Sequence, residues 1–192
     1  SLGYTLQYKV LNAAYYGVGQ KRERLIIVGA RKDLNMDFSF PEPDSEETTL
    51  RKALENCPAS EGIRYSEKKR KVLELVPAGG CWTALPPEIQ LSYCGESIRR
   101  GGGSRGVARR LSWDQPSLTL LCSPSQKMTD RCHPDETRPL TVREYARVQS
   151  FPDEWSFSGS IAAKYKQIGN AVPVELARRI GVQLVVAISE VR

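Results

Sequence analysis

The stretch NAAYYGVGQKRERLIIVGAR, residues 12–31, contains the pattern that decides the fold of this chain. Its second half, residues 25–31, opens with the continuous apolar run LIIVGA, which is typical of a β-strand covered on both faces. Residues 4–11 predict a second strand ahead of it. A loop with two glycines and a dense basic end separates the two predicted strands.

A polar row precedes the apolar run. If the strand conformation extends back to Gln20, then Gln20, Arg22 and Arg24 lie on one side, because side chains alternate along a strand. One amide and two guanidinium groups suit an anionic or carbonyl-bearing ligand. On spacing alone, the alternative is a strand end held by surface ion pairs with Glu23 and Asp33.

Length and charge limit the class of protein. The chain has 192 residues, enough for one or two globular domains with a core of their own, and a formal net charge of +6. No apolar run approaches the roughly 20 residues that a membrane span needs, and residues 1–10 lack the features of a signal peptide. The first residue is not methionine and a strand begins at once, which suggests a piece of something larger.

The cysteines and the single histidine argue against several site types. Five cysteines form no C-x-x-C pair, and His133 has no ligand cluster around it, so we predict no metal site. Scattered, reduced cysteines suggest the cytosol. There is no Walker A and no G-x-S-x-G, and a catalytic triad would have to use His133 in a proline-flanked loop.

Helix signals occur in four places. Thr48 or Thr49 predicts a cap for a helix that runs to Asn56, and residues 66–76 predict another. A capping box of Thr141 and Glu144 starts a third, and a last helix follows Pro173 to about residue 189. Between residues 81 and 139, short segments broken by Pro, Gly and Ser predict an irregular, mostly β, loop-rich module.

The strongest charge feature is RRGGGSRGVARR, residues 99–110, with five arginines and no acid. Arginine on a glycine-rich scaffold can approach phosphates and pair with guanine in the major groove. The alternative is a solvated loop that adds solubility. The G-x-G-x-x-G match at residues 101–106 is no dinucleotide fingerprint, because no apolar strand precedes it and no helix pattern follows.

Three ordered stretches together resemble the DNA (cytosine-5) methyltransferases. Residues 12–31 resemble the eighth motif of that family, residues 138–159 (RPLTVREYARVQSFPDEWSFSG) the ninth and residues 165–180 (YKQIGNAVPVELARRI) the tenth. Residues 101–134 resemble the target recognition region of bacterial members, including the pair Thr119-Leu120. The resemblance covers nearly the whole chain in the order of the family.

The resemblance implies an α/β fold, in which the C-terminal part of a Rossmann-like methyltransferase sheet carries a small, mostly β, loop-rich target recognition domain. We expect residues 1–40 to supply the last strands of the catalytic domain. Residues 41–158 form the recognition domain with its linker helices, and residues 159–192 return to the catalytic domain.

The resemblance also implies residue roles. Arg24 resembles the arginine that bonds O2 of a flipped cytosine, and Arg22 and Gln20 resemble its neighbours near the flipped nucleotide and phosphate. Asn170 and Val172 resemble residues that border S-adenosylmethionine and the catalytic pocket. The family usually has proline where this chain has Gly19, which would loosen the turn ahead of Gln20. Motif nine, with Arg143, Glu144, Arg147 and Gln149, is expected to organise the recognition domain.

Specificity is expected between residues 80 and 134. The candidates for contacts with bases and phosphates of double-stranded DNA are Arg105, Arg109, Arg110, Thr119, Gln126 and Lys127.

Three motifs of the family are missing from the sequence. No cysteine follows a proline, as the nucleophile of a Pro-Cys-Gln loop does, and neither Glu-Asn-Val nor F-x-G-x-G occurs. The resemblance therefore implies a DNA-recognition subunit or fragment of a bacterial restriction-modification methyltransferase, in the cytoplasm near the nucleoid. It would be inactive without a complementary half and tightly associated with it. A stand-alone DNA-binding protein and an inactive remnant are the alternatives.

Overall fold

The computed structural model describes residues 3–95, 106–126 and 129–191. Three strands precede the helices along the chain, and a fourth strand lies between the third and fourth helices. Within the described residues, 3-10 turns lie at Ala13–Tyr15, Lys32–Leu34 and Trp82–Ala84. The strands and helices are β1 (Tyr4–Asn12), β2 (Gln20–Lys21), β3 (Glu23–Arg31), α1 (Leu50–Ala53), α2 (Glu67–Glu74), α3 (Pro87–Cys94), β4 (Ser117–Leu118), α4 (Val142–Val148), α5 (Ile161–Asn170) and α6 (Val174–Ser189).

Strands β1 and β3 form an antiparallel hairpin, with Tyr4 opposite Arg31 and Asn12 opposite Glu23. Both predicted strands are therefore confirmed. The expectation that β3 is covered on both faces is wrong for the described residues, since Leu25 is 56% and Ile27 60% exposed. The alternating exposure along β3 shows why: the hairpin is a two-stranded ribbon, and its outer face meets no described element.

A second, shorter pairing joins distant parts of the chain. Strand β2 pairs in parallel with β4, which places Gln20 beside Ser117 and Lys21 beside Leu118. Arg22 separates β2 from β3, and its carbonyl accepts a hydrogen bond from the Ala13 amide at 3.0 Å. Because of this pairing, the polar row of residues 20–24 lies against the segment that follows β4.

Capping side chains start three of the helices predicted from the sequence. The side chain of Thr49 caps α1, that of Ser66 caps α2, and Thr141 with Glu144 forms a complete capping box on α4. Helix α6 begins after Pro173, as predicted. Helix α1 ends at Ala53, earlier than expected. Helix α5, capped by Ser160, is not among the helices expected from the sequence.

The prediction of a mostly β module between residues 81 and 139 is wrong for the part of that stretch that the structure describes. That part contains α3, a 3-10 turn and a single two-residue strand, β4, besides isolated bridges. Pro86 and Pro87 contribute to the difference: they interrupt a strand, but Pro87 fits the first turn of α3 because its backbone angle is already helical there. Long irregular segments separate these elements.

Three groups of buried side chains hold the described residues together. The largest lies between α1, α4 and α5 and includes Leu50, Leu54, Leu111, Leu120, Leu140, Val142, Tyr145, Ala146, Val148, Phe151, Tyr165 and Ile168. The second includes Leu73 of α2 and Tyr93 of α3. The third packs Leu11 and Val18 against Leu176 and Ile180 of α6. Packing between α4 and α5 crosses the predicted boundary at residue 158, and the domain division stays a prediction.

None of the helices formed by the described residues has the length and apolar character needed to span a membrane.

Gly169 lies where α5 approaches the backbone after β4. A Cβ atom there would be 2.4 Å from the Leu121 carbonyl oxygen and 2.8 Å from the Cys122 nitrogen, so the backbone itself would have to move. We expect Gly169→Ala to lower the free energy of unfolding by about 2 kcal/mol. Gly181→Ala in α6, where no atom lies within 4 Å of the added Cβ, should raise it by up to about 1 kcal/mol. Urea unfolding of both variants checks this, and equal effects would contradict it.

Candidate functional site

The backbone of residues 119–121, named the clamped segment here, lies against the polar row. The Leu120 amide donates to Oε1 of Gln20 at 3.1 Å, and the Leu120 carbonyl accepts from Nη1 of Arg22 at 3.3 Å. Gln20 is fully buried and Arg22 is 5% exposed. Both side chains, which the sequence predicted beside a nucleotide, therefore bond to the protein itself.

Two further side chains hold the same segment from other directions. Nη2 of Arg131 donates to the Thr119 carbonyl at 3.0 Å. The Tyr145 hydroxyl accepts from the Leu121 amide at 3.1 Å and donates to the Leu121 carbonyl at 2.8 Å. Neither residue was assigned from the sequence. Tyr145 shows only as one apolar position of α4, and no local pattern marks Arg131 as a buried arginine.

Arg22 connects three distant parts of the chain. Besides the Leu120 carbonyl, its Nη2 bonds to the carbonyls of Gly169 and Ala171, both at 3.2 Å. Burial, and then the nearby charge of Arg24, lower the pKa of Arg22 from its ordinary value. The guanidinium group nevertheless stays charged, because arginine is not deprotonated in proteins. It therefore joins the polar row, the clamped segment and the end of α5.

Arg24 is the more accessible member of the row. It is half-buried in β3, and its Nη1 donates to the adjacent Glu23 carbonyl at 2.6 Å. Its charge contributes, after burial, to the lowered pKa of Arg22. Nε2 of Gln20 and Nε of Arg22 are buried donors without a hydrogen-bond partner among the described residues. The row thus combines one open guanidinium group with two unused donors.

Asn170 and Val172, the predicted cofactor neighbours, lie next to the backbone that Arg22 binds. They flank Ala171, whose carbonyl Arg22 binds, and both side chains are exposed. Oδ1 of Asn170 accepts a hydrogen bond from Sγ of the exposed Cys122 at 2.9 Å. The structure therefore brings the residues predicted for the flipped nucleotide and those predicted for the cofactor to one place.

The tight backbone at Gly19 differs from the expected loose turn. A Cβ on Gly19 would be 2.4 Å from Cβ of Ala53 in α1. The Gly19 carbonyl also accepts a hydrogen bond from the Ser117 amide at 2.8 Å. Glycine lets α1 pack closely here, so the turn ahead of Gln20 is held rather than loosened.

The predicted DNA contacts fall in different environments. Arg105 and Lys127 lie outside the described residues. Gln126 is exposed, and the Thr119 hydroxyl donates to the Lys21 carbonyl at 2.6 Å. Arg109 is half-buried. Its side chain lies beside Cys81. Burial by itself would raise the pKa of the Cys81 thiol, but hydrogen bonds with Thr83 and the charge of Arg109 outweigh it and lower that pKa.

The prediction that Arg110 contacts DNA is wrong, because its side chain is buried and fully bonded. It is 5% exposed, and its five N–H groups reach five acceptors at 2.7 to 3.3 Å. These acceptors are the carbonyls of Leu73, Val76, His133 and Pro134 and the hydroxyl of Thr137. Arg110 therefore joins α2 to residues 133–137 and has no donor left for a ligand.

Motif-nine side chains bond within the protein, as expected. Arg143 donates to the carbonyls of Pro152 and Trp155, and Arg147 pairs with Asp153. Glu144 completes the capping box of α4 and accepts two bonds from Arg138. Gln149 donates to the Ile168 carbonyl at 2.9 Å.

His133 is part of the scaffold. Its Nδ1 accepts from the amides of Asp135 and Glu136 at 3.2 Å, and burial, followed by the charge of Arg138, lowers its pKa from the usual value. Within the described ranges, no three His, Cys, Asp or Glu side chains are grouped so that they could hold a metal ion.

Solved methyltransferases share this fold. A structure described as a prophage-encoded DNA modification methyltransferase of Escherichia coli superposes with a TM-score of 0.65 at 20% identity, over 97% of this chain and 62% of that one. The methyltransferase EhMeth of Entamoeba histolytica superposes with a TM-score of 0.57 at 12% identity, over 97% and 53%.

Sequence comparison identifies the family. The model of the C-5 cytosine-specific DNA methylases matches residues 1–185, and the chain belongs to that family. It is 55% identical to the type II methyltransferase M.Sau96I of Staphylococcus aureus, over 95% of this chain and 44% of that protein. It is also 55% identical to M.Eco47II of Escherichia coli, over 96% and 46%. The chain thus spans less than half the length of these two relatives.

The bonds of Arg22 allow a stability test. Arg22→Met leaves three carbonyls without their donor, and we expect it to lower the free energy of unfolding by about 3 kcal/mol. Arg24→Met, the same change two residues along, should alter it by less than about 0.5 kcal/mol because that side chain is partly exposed. Urea unfolding measures both, and equal losses would show that Arg22 is not the connecting group.

Proposed function

We propose that this chain is the DNA-recognition half of a cytosine-5 DNA methyltransferase. In this proposal it acts with a complementary half that carries the Pro-Cys-Gln nucleophile, and together they transfer a methyl group to C5 of a flipped cytosine in a specific duplex sequence. The observation that carries the proposal is the placement of Arg24 beside the Arg22 contact with Gly169 and Ala171.

Arg24 is proposed to bind O2 of the flipped cytosine. The target base must leave the stack for its C5 to be reached, and a donor at O2 polarises the ring for attack at C6. The positive charge of Arg22 adds to that of Arg24 and favours an electron-rich oxygen at this position. Because Gln20 and Arg22 already bond to the clamped segment, we assign them the role of positioning Arg24.

Asn170 and Val172 are proposed to border S-adenosylmethionine. An exposed amide beside a valine that is 49% exposed fits the edge of a nucleoside-like group, whose other contacts would come from the complementary half. When bound, this cofactor supplies the methyl group. Arg22 links this edge to the base site because it binds the carbonyls on either side of Asn170.

Uncovered apolar surface supports association with a complementary half, on a separate polypeptide or the same one. The hairpin exposes large side chains on both strands, and the second half of α6 adds more. They are Tyr4, Leu6, Tyr8, Val10, Leu25, Ile27, Val182, Val185, Val186 and Ile188. Contiguous apolar surface and an unpaired strand edge favour a partner that completes the sheet.

Acting on chromosomal DNA, the assembled enzyme would work in the bacterial cytoplasm, at the nucleoid.

Reconstitution tests the assembly. The chain is mixed with the N-terminal half of M.Sau96I, labelled S-adenosylmethionine and unmethylated bacteriophage DNA, and label should enter DNA only when both halves are present. Ile27→Asp should weaken the association at least tenfold, about 1.4 kcal/mol, because it puts a charge on the apolar face that the complementary half would cover. Leu91→Asp on exposed α3 is the matched control and should leave the association unchanged. Duplex binding without methyl transfer in any mixture would support the stand-alone DNA-binding alternative.

Arg24→Ala tests the role at the base. We expect it to lower kcat of the reconstituted enzyme by about 100- to 1000-fold, as for loss of one donor to a developing negative charge. Duplex affinity should change by less than about tenfold, since phosphate contacts elsewhere remain. Arg31→Ala on the same strand, whose arginine pairs with Asp33 at the surface, is the control. Methylation at the wild-type rate by Arg24→Ala would overturn the assignment.

A further inference from the structure

A buried carboxylate joins two segments of the predicted recognition region. Asp130 is completely buried, and its Oδ2 accepts a hydrogen bond from the Ala108 amide at 2.9 Å. Its own amide donates to the Gly106 carbonyl at 2.9 Å. Residues 106–108, which belong to the arginine-rich tract, are therefore bonded to Asp130, four residues after Gln126.

Lys69 of α2 reaches the same place from the other side. Its Nζ donates to the Ser125 carbonyl at 2.8 Å and forms an ion pair with the Asp130 carboxylate. It also lies over the Tyr65 ring, 4.9 Å from the ring centre. The Lys69 side chain is only 14% exposed, so one ammonium group spans residues 125 and 130 from within the protein.

We propose that Lys69 and Asp130 are positioning residues for sequence recognition, which set the placement of Arg109 relative to Gln126. The inference rests on the proposed function. Arg109 follows the Asp130-bound amide of Ala108, and Gln126 follows the Lys69-bound carbonyl of Ser125. One ion pair therefore controls the spacing between two side chains predicted to contact DNA.

Electrostatics favours a geometric role over a purely stabilising one. Removing an ammonium group and a carboxylate from water offsets most of their attraction, so an uncharged pair of similar shape is often equally stable. The charged pair fixes the relative position of two recognition segments, because each partner also bonds to the backbone of one of them. A neutral pair should keep the fold but lose the bond to Ser125.

The test compares Lys69→Met, Asp130→Asn and the double variant with wild type. Lys69→Met alone leaves a buried charge without its partner and is expected to destabilise the chain. The double variant removes both charges and keeps an oxygen for the Ala108 amide. Lys71→Met, the same substitution at an exposed position of α2, is the matched control.

For the double variant we expect the melting temperature of wild type but altered recognition. In the reconstituted enzyme, with a short duplex containing one site mapped in bacteriophage DNA, the KM for DNA should rise about tenfold while kcat changes less than about threefold. Discrimination against duplexes with one changed base pair should fall. Wild-type KM and discrimination in the double variant would overturn the proposal, and so would failure of that variant to fold.

Hydrogen exchange separates this inference from the proposed function. In the double variant, the backbone amides of residues 106–108, 125, 126, 129 and 130 should exchange at least about tenfold faster than in wild type, while those of α4 stay unchanged. Unchanged exchange in both segments would also overturn the inference. Faster exchange with no methyl transfer by the wild-type assembly would instead show that the coupling exists and that the proposed function is wrong.

Discussion

The Arg22 guanidinium group is the contact on which the rest of the candidate site depends. It bonds to the carbonyls of Leu120, Gly169 and Ala171, which belong to segments about a hundred residues or more away from it. A guanidinium group presents its donors in a rigid plane, so it fixes the positions of several acceptors at once. The absence of a side chain at Gly169 makes this convergence possible, because the backbone of α5 passes within contact distance of Leu121.

The arrangement also explains the electrostatics of the site. The buried arginine, Arg22, bonds to carbonyl oxygens whose partial negative charges compensate its own positive charge. The half-buried one, Arg24, donates to the adjacent Glu23 carbonyl and forms no ion pair with any residue that the structure describes. Its remaining donors favour an electron-rich oxygen. A scaffold built to bury one arginine thus leaves the other ready for a ligand.

Local patterns predicted those parts of the fold that depend on short-range forces. Alternation along the strand predicted Gln20, Arg22 and Arg24 on one side. A capping box located the start of α4, and Pro173 located that of α6. The mostly β module was wrong, because a proline-rich segment can begin a helix as easily as it interrupts a strand. Helix α5 was not predicted, although Ser160 caps it and its apolar face packs in the largest buried group.

The sequence by itself determined the order of the motifs, the two strands of the hairpin and the residue types of the site. Only the tertiary structure decided which arginines are available to a ligand. Arg109 and Arg110 are adjacent in an arginine-rich tract, yet Arg110 is buried with five acceptors, whereas Arg109 is partly exposed. The reason is physical: a buried arginine is tolerated only where distant backbone carbonyls converge on it, and that convergence is a property of the packed chain.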